Sequence, residues 1–554
     1  MGITMKIKKI KHYVFIIILF GVVSLSACSD NSDERPLNIV FFLVDDLGWR
    51  DVGSFGSDFY ETPNIDKLAQ EGTKFTQAYA ASHVCSPTRA SIMTGKYPAR
   101  LNLTDWIGGR KSYTFERLKS PEFLKELPLE EITIAEALKN HGYATAHIGK
   151  WHLGEDPFGP LEQGFDMRVP NWNKGWPKAG YYAPFDLDGI EDEPGQYLTD
   201  RLTDYAEDFI SENADKPFFL YMSHFAVHDP IHGRPDLVEK YSKKLLSKET
   251  PDSPSYLLEG NPDDPRPLTR KQLDSLIDLP SHEGFQVLPQ RTVKIKQHQD
   301  NIHFAAMIES MDESLGRIVK HIEKLGLIDN TLIVFFADNG GMSGGNFGRA
   351  NRIISKDDLD VAFATSNLPL RGAKGWLYEG GIRVPMIVKL PKNFSSSIKV
   401  VEEPIISTDF YPSILEIAGL PQRNDQALDG VSFVPALNGE AFKRGPIFWH
   451  FPQYSNHGMQ SPGGAIRLGD YKLLEYFEND TVQLFNLKED IGEQNDISEN
   501  EPTIREKLRA LLHSWRNDVS AQMPQQNTNY ESNPNVYPPK ALEGGLKWDG
   551  FEMK

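Results

Sequence analysis

The chain has 554 residues, a length with room for roughly three or four domain-sized units. Hydrophobic residues make up 40% and charged residues 25%, and 31 Phe, 20 Tyr and 9 Trp can fill a large core, which excludes a disordered chain. The formal charge of −18 excludes a general grip on nucleic acid, which needs clustered Lys and Arg, but a local basic pocket or a cation can still hold an acidic substrate.

In chain order, Lys6, Lys8, Lys9 and Lys11 precede the apolar run VFIIILFGVV at 14–23, and LSAC ends at Cys28. A charged start, a short apolar core and small residues before a cleavage point predict a signal peptide. A run of that length spans only about 15 Å as a helix, against about 30 Å for a bilayer core. The cysteine behind Leu-Ser-Ala resembles a bacterial lipobox. That resemblance implies removal of residues 1–27, lipid on Cys28, an acidic tether over 28–36, and a membrane-anchored place in the bacterial cell envelope, at the outer membrane or cell surface. Cys85 is then left with no partner for a disulfide, as a buried bystander or a chemical tool.

Strand and helix patterns alternate from there on. NIVFFLVDD (38–46) is a continuous apolar run ending in acid, the pattern of a strand buried on both faces. TPNIDKLAQEG predicts a helix with Thr62 as N-cap, Pro63 at its first position and Gly72 as its stop. Thr133 and Glu136 have capping-box spacing, and Gly142 ends that helix before a short strand runs into Lys150 and His152. KPFFLYMSHFAVHDP is a further strand, Ile302 to Leu325 an amphipathic helix stopped by Gly326, and TLIVFFADNGG and GIRVPMIVKLP supply two more strands. The alternation predicts an α/β domain over 37–436 with a mostly parallel sheet flanked by helices. Residues 232–290, rich in Pro, Asp, Lys and Ser, read as an insertion over the site. From 437 to 522 short alternating runs and one helix predict a smaller antiparallel sheet plus helix, and 523–554 an irregular tail.

The polar clusters fall where apolar runs end, the edge at which such sheets bind ligands: Asp45 and Asp46, Lys150 and His152, His228, Asp338 and Asn339. Adjacent carboxylates repel unless a cation neutralises them. Four oxygen ligands suit a hard cation, Ca2+ above all, and the lack of nearby His or Cys ligands disfavours zinc. Pro87 favours a helix start and Gly95 a stop, so Cys85 falls at a helix N-terminus, where a low-pKa thiolate is one expectation.

The stretch CSPTRASIMTGKYPAR, from Cys85, resembles the signature of the type I sulfatases, and NIVFFLVDDLGW, GYATAHIGKWHLG, TLIVFFADNGG and LRGAKGWLYEGGIRVP are similar to further blocks of that family in the same order. The resemblance implies an alkaline-phosphatase-like fold and conversion of Cys85 to formylglycine (3-oxoalanine) by a formylglycine-generating or anaerobic sulfatase-maturing enzyme. It implies Asp45, Asp46, Asp338, Asn339 and the converted Cys85 as ligands of one Ca2+, Arg89 and Lys150 on formylglycine and sulfate, His152 in turnover, and His228 and Lys374 on sulfate or the leaving oxygen. The implied substrate is a sulfated carbohydrate, with algal polysaccharide such as ulvan as the expectation. Candidate substrate contacts are Asp105, Trp106, His232, Arg234, Tyr454, Asn456 and His457. Two readings stay open beside this one: a formylglycine-dependent phosphodiester or phosphonate monoester hydrolase, and a catalytically silent glycan-binding surface lipoprotein.

Overall fold

The computed structural model describes residues 36–531 apart from 111, 113, 115, 250, 265–266, 279–286, 289–291, 345–362, 395, 424 and 458–459. Cys28 and its leader, and the tail from 532, lie outside the described residues. From Leu37 the chain is one compact unit. Among the described residues no helix is long and apolar enough to cross a membrane.

The main sheet has nine strands: β1 (Asn38–Val44), β2 (Thr73–Tyr79), β3 (Ala144–Gly149), β4 (Met167–Val169), β5 (Phe218–Ser223), β6 (Thr331–Ala337), β7 (Arg383–Lys389), β8 (Val400–Val401) and β9 (Ile405–Ile406). Their order is β8-β2-β7-β6-β1-β5-β3-β4, with β9 also on β2. β7 runs antiparallel to both its neighbours; the other pairings are parallel. β1, β5 and β6 are buried along their whole length, as their unbroken apolar runs predict for strands covered on both faces. The covering helices include α1 (Pro63–Glu71), α2 (Cys85–Thr94), α3 (Ile134–Lys139), α4 (Leu198–Glu212), α5 (Pro235–Ser247), α6 (Ile302–Lys324) and α7 (Phe410–Ile417). The predicted α/β class is what the structure has.

Local signals performed unevenly. Thr133 and Glu136 form the reciprocal capping box of α3. Thr62 stands at the N-cap of α1 but its hydroxyl caps nothing; it accepts from Gly53 N at 2.8 Å and turns toward Asp66, so a tertiary partner outcompetes the local one. Much of 232–290 is ordered: α5 is followed by the strand Tyr256–Glu259, which pairs with Thr292–Lys296, and by the helix Arg270–Leu276.

A second sheet of four antiparallel strands follows: β10 (Ile447–Phe451), β11 (Gly463–Leu468), β12 (Tyr471–Tyr476) and β13 (Val482–Asn486), in that order. The helix α8 (Pro502–Asp518) packs on it, with Trp515 stacked on Phe448 at 4.7 Å. Lys472 of β12, fully buried, donates to Glu379 and Glu493 at 2.9 Å each. Glu379 closes the 371–379 loop, so this sheet anchors the segment that carries Lys374.

Candidate active site

The site follows from the register of the parallel strands. Val44 lies opposite Ala337, and Leu43 and Gly149 both lie opposite Ser223, so β1, β3, β5 and β6 end level with one another. The residue after each end therefore emerges at one edge. Asp338 N donates to Val44 O at 3.2 Å, Lys150 N to Ser223 O at 2.7 Å, and Asp45 N to Ala226 O at 3.0 Å, which carries the chain on to His228. Gly149 has φ +111, and a Cβ there would lie 1.8 Å from Ser223 O. Only glycine lets β3 and β5 end this close. Asp46 itself, at φ 60, takes the left-handed turn that separates it from Asp45. A non-glycine residue in that region costs about 1 kcal/mol or more and is concentrated at functional sites.

At this edge Asp45, Asp46, Cys85 and Asp338 offer ligand atoms that all lie within 4.8 Å of one another, every one buried. Cys85 opens α2, and its Sγ is 3.5 Å from Asp45 Oδ1. Arg89, one turn along, donates through Nε to Asp338 Oδ2 at 2.9 Å and through Nη1 to Lys150 O at 2.8 Å and Ser223 Oγ at 2.6 Å. Lys150 Nζ is 2.5 Å from Asp45 Oδ2, and Lys374 Nζ donates to both oxygens of Asp46 at 2.7 and 2.8 Å. Asn339 Nδ2 donates to Asp46 Oδ1 at 2.7 Å, which leaves its Oδ1 buried and without a partner.

Electrostatics divides the acids. Burial, and then Asp338, pushes the Asp45 carboxyl up to about 6. Burial also works to raise Asp46, but Lys374 and His228 beside it hold that carboxyl well below the ordinary range. Burial would lower Lys374, and Asp46 overrides it, so the ammonium persists. Burial pushes the Cys85 thiol far up despite Lys150 and Lys374. The low-pKa thiolate expected at the helix N-terminus is therefore corrected: an unconverted Cys85 is a neutral thiol, and desolvation outweighs the helix end.

The two histidines are set for opposite roles. His152 Nε2 is 3.0 Å from Ile107 O. A carbonyl can only accept, so Nε2 carries the proton, and Nδ1, buried and unpartnered, keeps its lone pair. Burial and then Lys150 hold this imidazole neutral. His228 Nδ1 faces Asp229 O at 2.7 Å and Asp229 Oδ1 at 2.9 Å, and Nε2 lies 3.7 Å from Asp46. Burial and Lys374 act to lower it, but the surrounding carboxylates prevail and raise it.

The candidate substrate contacts are scattered by comparison. His457 is buried in the field of Lys374 and Asp46, and its backbone packs on Gly375, so the fold brings it to the site. Asn456 precedes it, half-buried. Asp105 is buried, its carboxyl pushed up to about 7 by desolvation, and accepts from Trp106 N at 2.8 Å. Trp106 stands 6.5 Å from His152, ring to ring. Two further candidates are engaged by neighbours within the fold. Arg234 is engaged by Glu313 on α6, at 2.6 Å, and by Asp236 and Asp200. The Tyr454 hydroxyl accepts from Leu118 N at 3.2 Å, and its ring is buried under Arg110. His232 is exposed and uses its carbonyl to receive the Tyr197 hydroxyl. Ser223, which orients Arg89, escaped sequence reasoning; the available signal was its place as the last residue of the apolar run FFLYMS.

Three buried carboxylates ringed by cations thus stand at the carboxyl edge of the sheet, where such folds bind ligands. The sulfatase family model matches residues 37–420, and one described as N-sulphoglucosamine sulphohydrolase, C-terminal, matches residues 373–518. Similar proteins include a sulfatase of Formosa agariphila, 27% identical over 92% of this chain and 94% of that one, and the N-acetylgalactosamine-6-sulfatase of Canis lupus familiaris, 28% identical over 82% of this chain and 74% of that one. The crystal structure of Ps i-CgsB, also determined in complex with k-i-k-neocarrahexaose, is 25% identical with a TM-score of 0.64, over 90% of this chain and 94% of that one. The chain belongs to the sulfatase family and is a sulfuric ester hydrolase.

Proposed function

We propose that this enzyme removes sulfate from a sulfated polysaccharide or its oligosaccharides, using formylglycine made from Cys85 and one Ca2+, and that it is held in the bacterial cell envelope by lipid on Cys28. The observation that carries the reading is the ring of Lys150, Lys374 and Arg89 around Asp45, Asp46 and Asp338 at Cys85. Three positive charges balance three negative ones, so a divalent cation leaves the pocket positive and ready for a sulfate ester. The residues fit such an ion: four ligand atoms converge, and the Asn339 oxygen, a neutral ligand of the kind Ca2+ accepts, is buried and unpartnered. Asp45, Asp46, Asp338, Asn339 and the converted Cys85 would hold it.

When present, the cation supplies charge stabilisation to the sulfuryl oxygens, and formylglycine supplies a hydrated aldehyde as nucleophile. The rest falls to the side chains. Arg89, oriented by Ser223, and Lys150 fix the acids and the nucleophile's side of the pocket. Lys374, kept charged by Asp46, supplies an ammonium for sulfuryl oxygen. His228, whose protonated form is favoured by its carboxylate neighbours, is placed to give a proton to the leaving oxygen. His152, neutral with a free lone pair on Nδ1, is placed to accept one.

The N-acetylgalactosamine-6-sulfatase and the neocarrahexaose complex among the similar proteins support a carbohydrate substrate. An algal polysaccharide is our choice, with ulvan and carrageenan oligosaccharides the first to assay. Co-expression with a maturing enzyme should shorten the mass of the tryptic peptide containing Cys85 by the change from thiol to aldehyde, and Cys85→Ala should lose sulfate release by three orders of magnitude or more, as removing a nucleophile does. Wild-type rates in that variant would refute the mechanism. Faster turnover of bis-4-nitrophenyl phosphate than of 4-nitrophenyl sulfate would favour the phosphodiester reading, and an unconverted thiol in the native host the silent binding protein.

A further inference from the structure

A cavity of about 720 Å3 is lined in part by neighbours of His152. Three of its lining residues touch that histidine. Ile107 O receives the Nε2 proton, the Trp106 ring stands beside the imidazole, and Gly175 packs so close that a Cβ would meet His152 Cε1 at 2.7 Å. Ile107 N in turn donates to Ser86 Oγ at 3.0 Å, beside Cys85. One lining residue is thus hydrogen-bonded both to His152 and to the residue after Cys85.

Its walls include four aromatic residues: Trp106, Phe158, Trp172 and Trp176. Trp172 Nε1 donates to Trp176 O at 2.8 Å, which fixes the turn that presents both indoles. Trp176 is nonetheless 43% exposed, and Trp106 Nε1 is buried without a hydrogen-bond partner. Most of the charged rim is already paired, Lys174 with Glu155 at 2.7 Å, Asp156 with Arg168, and Lys178 with Asp186. Lys125, lying over the Phe123 ring, and Glu126 are the remaining charges of opposite sign. Such a balanced rim does not select by charge. What it offers is flat apolar faces, the chemistry that receives a pyranose ring.

We propose that this cavity is the subsite for the sugar residue adjoining the sulfated one, with Trp176 and Trp172 as its stacking platform. It rests on the reading of the chain as an oligosaccharide sulfatase, and it makes the enzyme one that reads more than a single sugar. A substrate without a neighbouring ring gains nothing from these indoles.

The test measures kcat/KM on sulfated oligosaccharides prepared from ulvan, carrageenan and chondroitin, and on 4-nitrophenyl sulfate, for the wild type, Trp176→Ala, Trp176→Phe and Trp172→Ala. Trp176→Ala should raise KM for the oligosaccharide turned over by the wild type by about tenfold, with kcat and the 4-nitrophenyl sulfate kinetics unmoved. Trp176→Phe should restore most of the loss, and Trp172→Ala should act in the same direction. Equal losses on both substrates would mark the tryptophans as structural and overturn the subsite, as would unchanged oligosaccharide kinetics. A wild type that cleaves 4-nitrophenyl sulfate but none of the oligosaccharides would sink the carbohydrate reading, and the subsite with it.

Discussion

Asn339 separates metal binding from charge balance. Each acid of the cluster is matched by a cation, Asp338 by Arg89, Asp45 by Lys150 and Asp46 by Lys374, so removing any of them leaves a buried positive charge unpaired, which is strongly destabilising in its own right. Asn339 is neutral, and its oxygen is the one without a partner. Saturating Ca2+, at about a hundred times its Kd, should stabilise the wild type by about 2.7 kcal/mol. Scanning calorimetry with and without Ca2+ checks this. Asn339→Ala should shrink the Ca2+-dependent shift while leaving the metal-free melting temperature within a few degrees. An undiminished shift would remove Asn339 from the ligand set. Of the site residues, those one step past an apolar run were legible in the sequence because a parallel sheet aligns such ends. The partners of Arg234 and Tyr454 were not legible, because a lone polar residue in a loop gives no sign of which neighbour will engage it.

At the scale of elements, Glu475 joins α8 to β12. Its carboxylate receives Arg509 Nε at 2.7 Å, His513 Nε2 at 2.8 Å and Arg516 Nη1. Burial would raise this carboxyl, and Arg516 foremost pulls it down to about 2. Arg516 is itself buried, with Nε and Nη2 already lacking partners. Glu475→Ala therefore strands a buried guanidinium and should cost about 3 kcal/mol, read as a lower urea midpoint. Activity on 4-nitrophenyl sulfate below that midpoint should stay at the wild-type level, because the loop bearing Lys374 is anchored through Lys472 and Glu379 instead. The helix was visible in TIREKLRALLHSWRNDV from its periodicity. Its clamp was not, since Glu475 and Arg516 are brought together only by packing.

For the whole molecule, buried carboxyls shape the pH dependence of stability. Asp51 accepts from Gly48 N at 2.8 Å, Thr365 Oγ1 at 2.6 Å and Gln299 Nε2 at 3.0 Å, tying the turn after Asp45 and Asp46 to two distant segments. Desolvation nevertheless pushes it up to about 7 from an ordinary 3.8. A carboxyl raised in the folded state binds its proton more tightly there than in the unfolded chain. Its contribution is thus complete below pH 3.8 and is lost as pH rises through 7. Glu475 has the opposite sign: its contribution is present above 4.5 and is lost as pH falls toward 2. The formal charge of −18 adds self-repulsion on the alkaline side. The melting temperature should peak near pH 5 and fall toward pH 8, with a shallower fall in Asp51→Asn. Equal alkaline slopes in the two proteins would refute the assignment.

Unbroken apolar runs, caps and glycine stops were enough, read from the residues alone, to establish an α/β chain with a mostly parallel sheet and a smaller antiparallel one, because these follow from local periodicity and burial. The same runs marked where the acids and bases would surface. Tertiary structure alone decided that Asp46 makes a left-handed turn, that burial keeps the Cys85 thiol neutral, that Ile107 selects the His152 tautomer, and that Gly175 packs against that imidazole. Each of these depends on desolvation or on a partner far away in the chain, and neither leaves a trace in the spacing of residues.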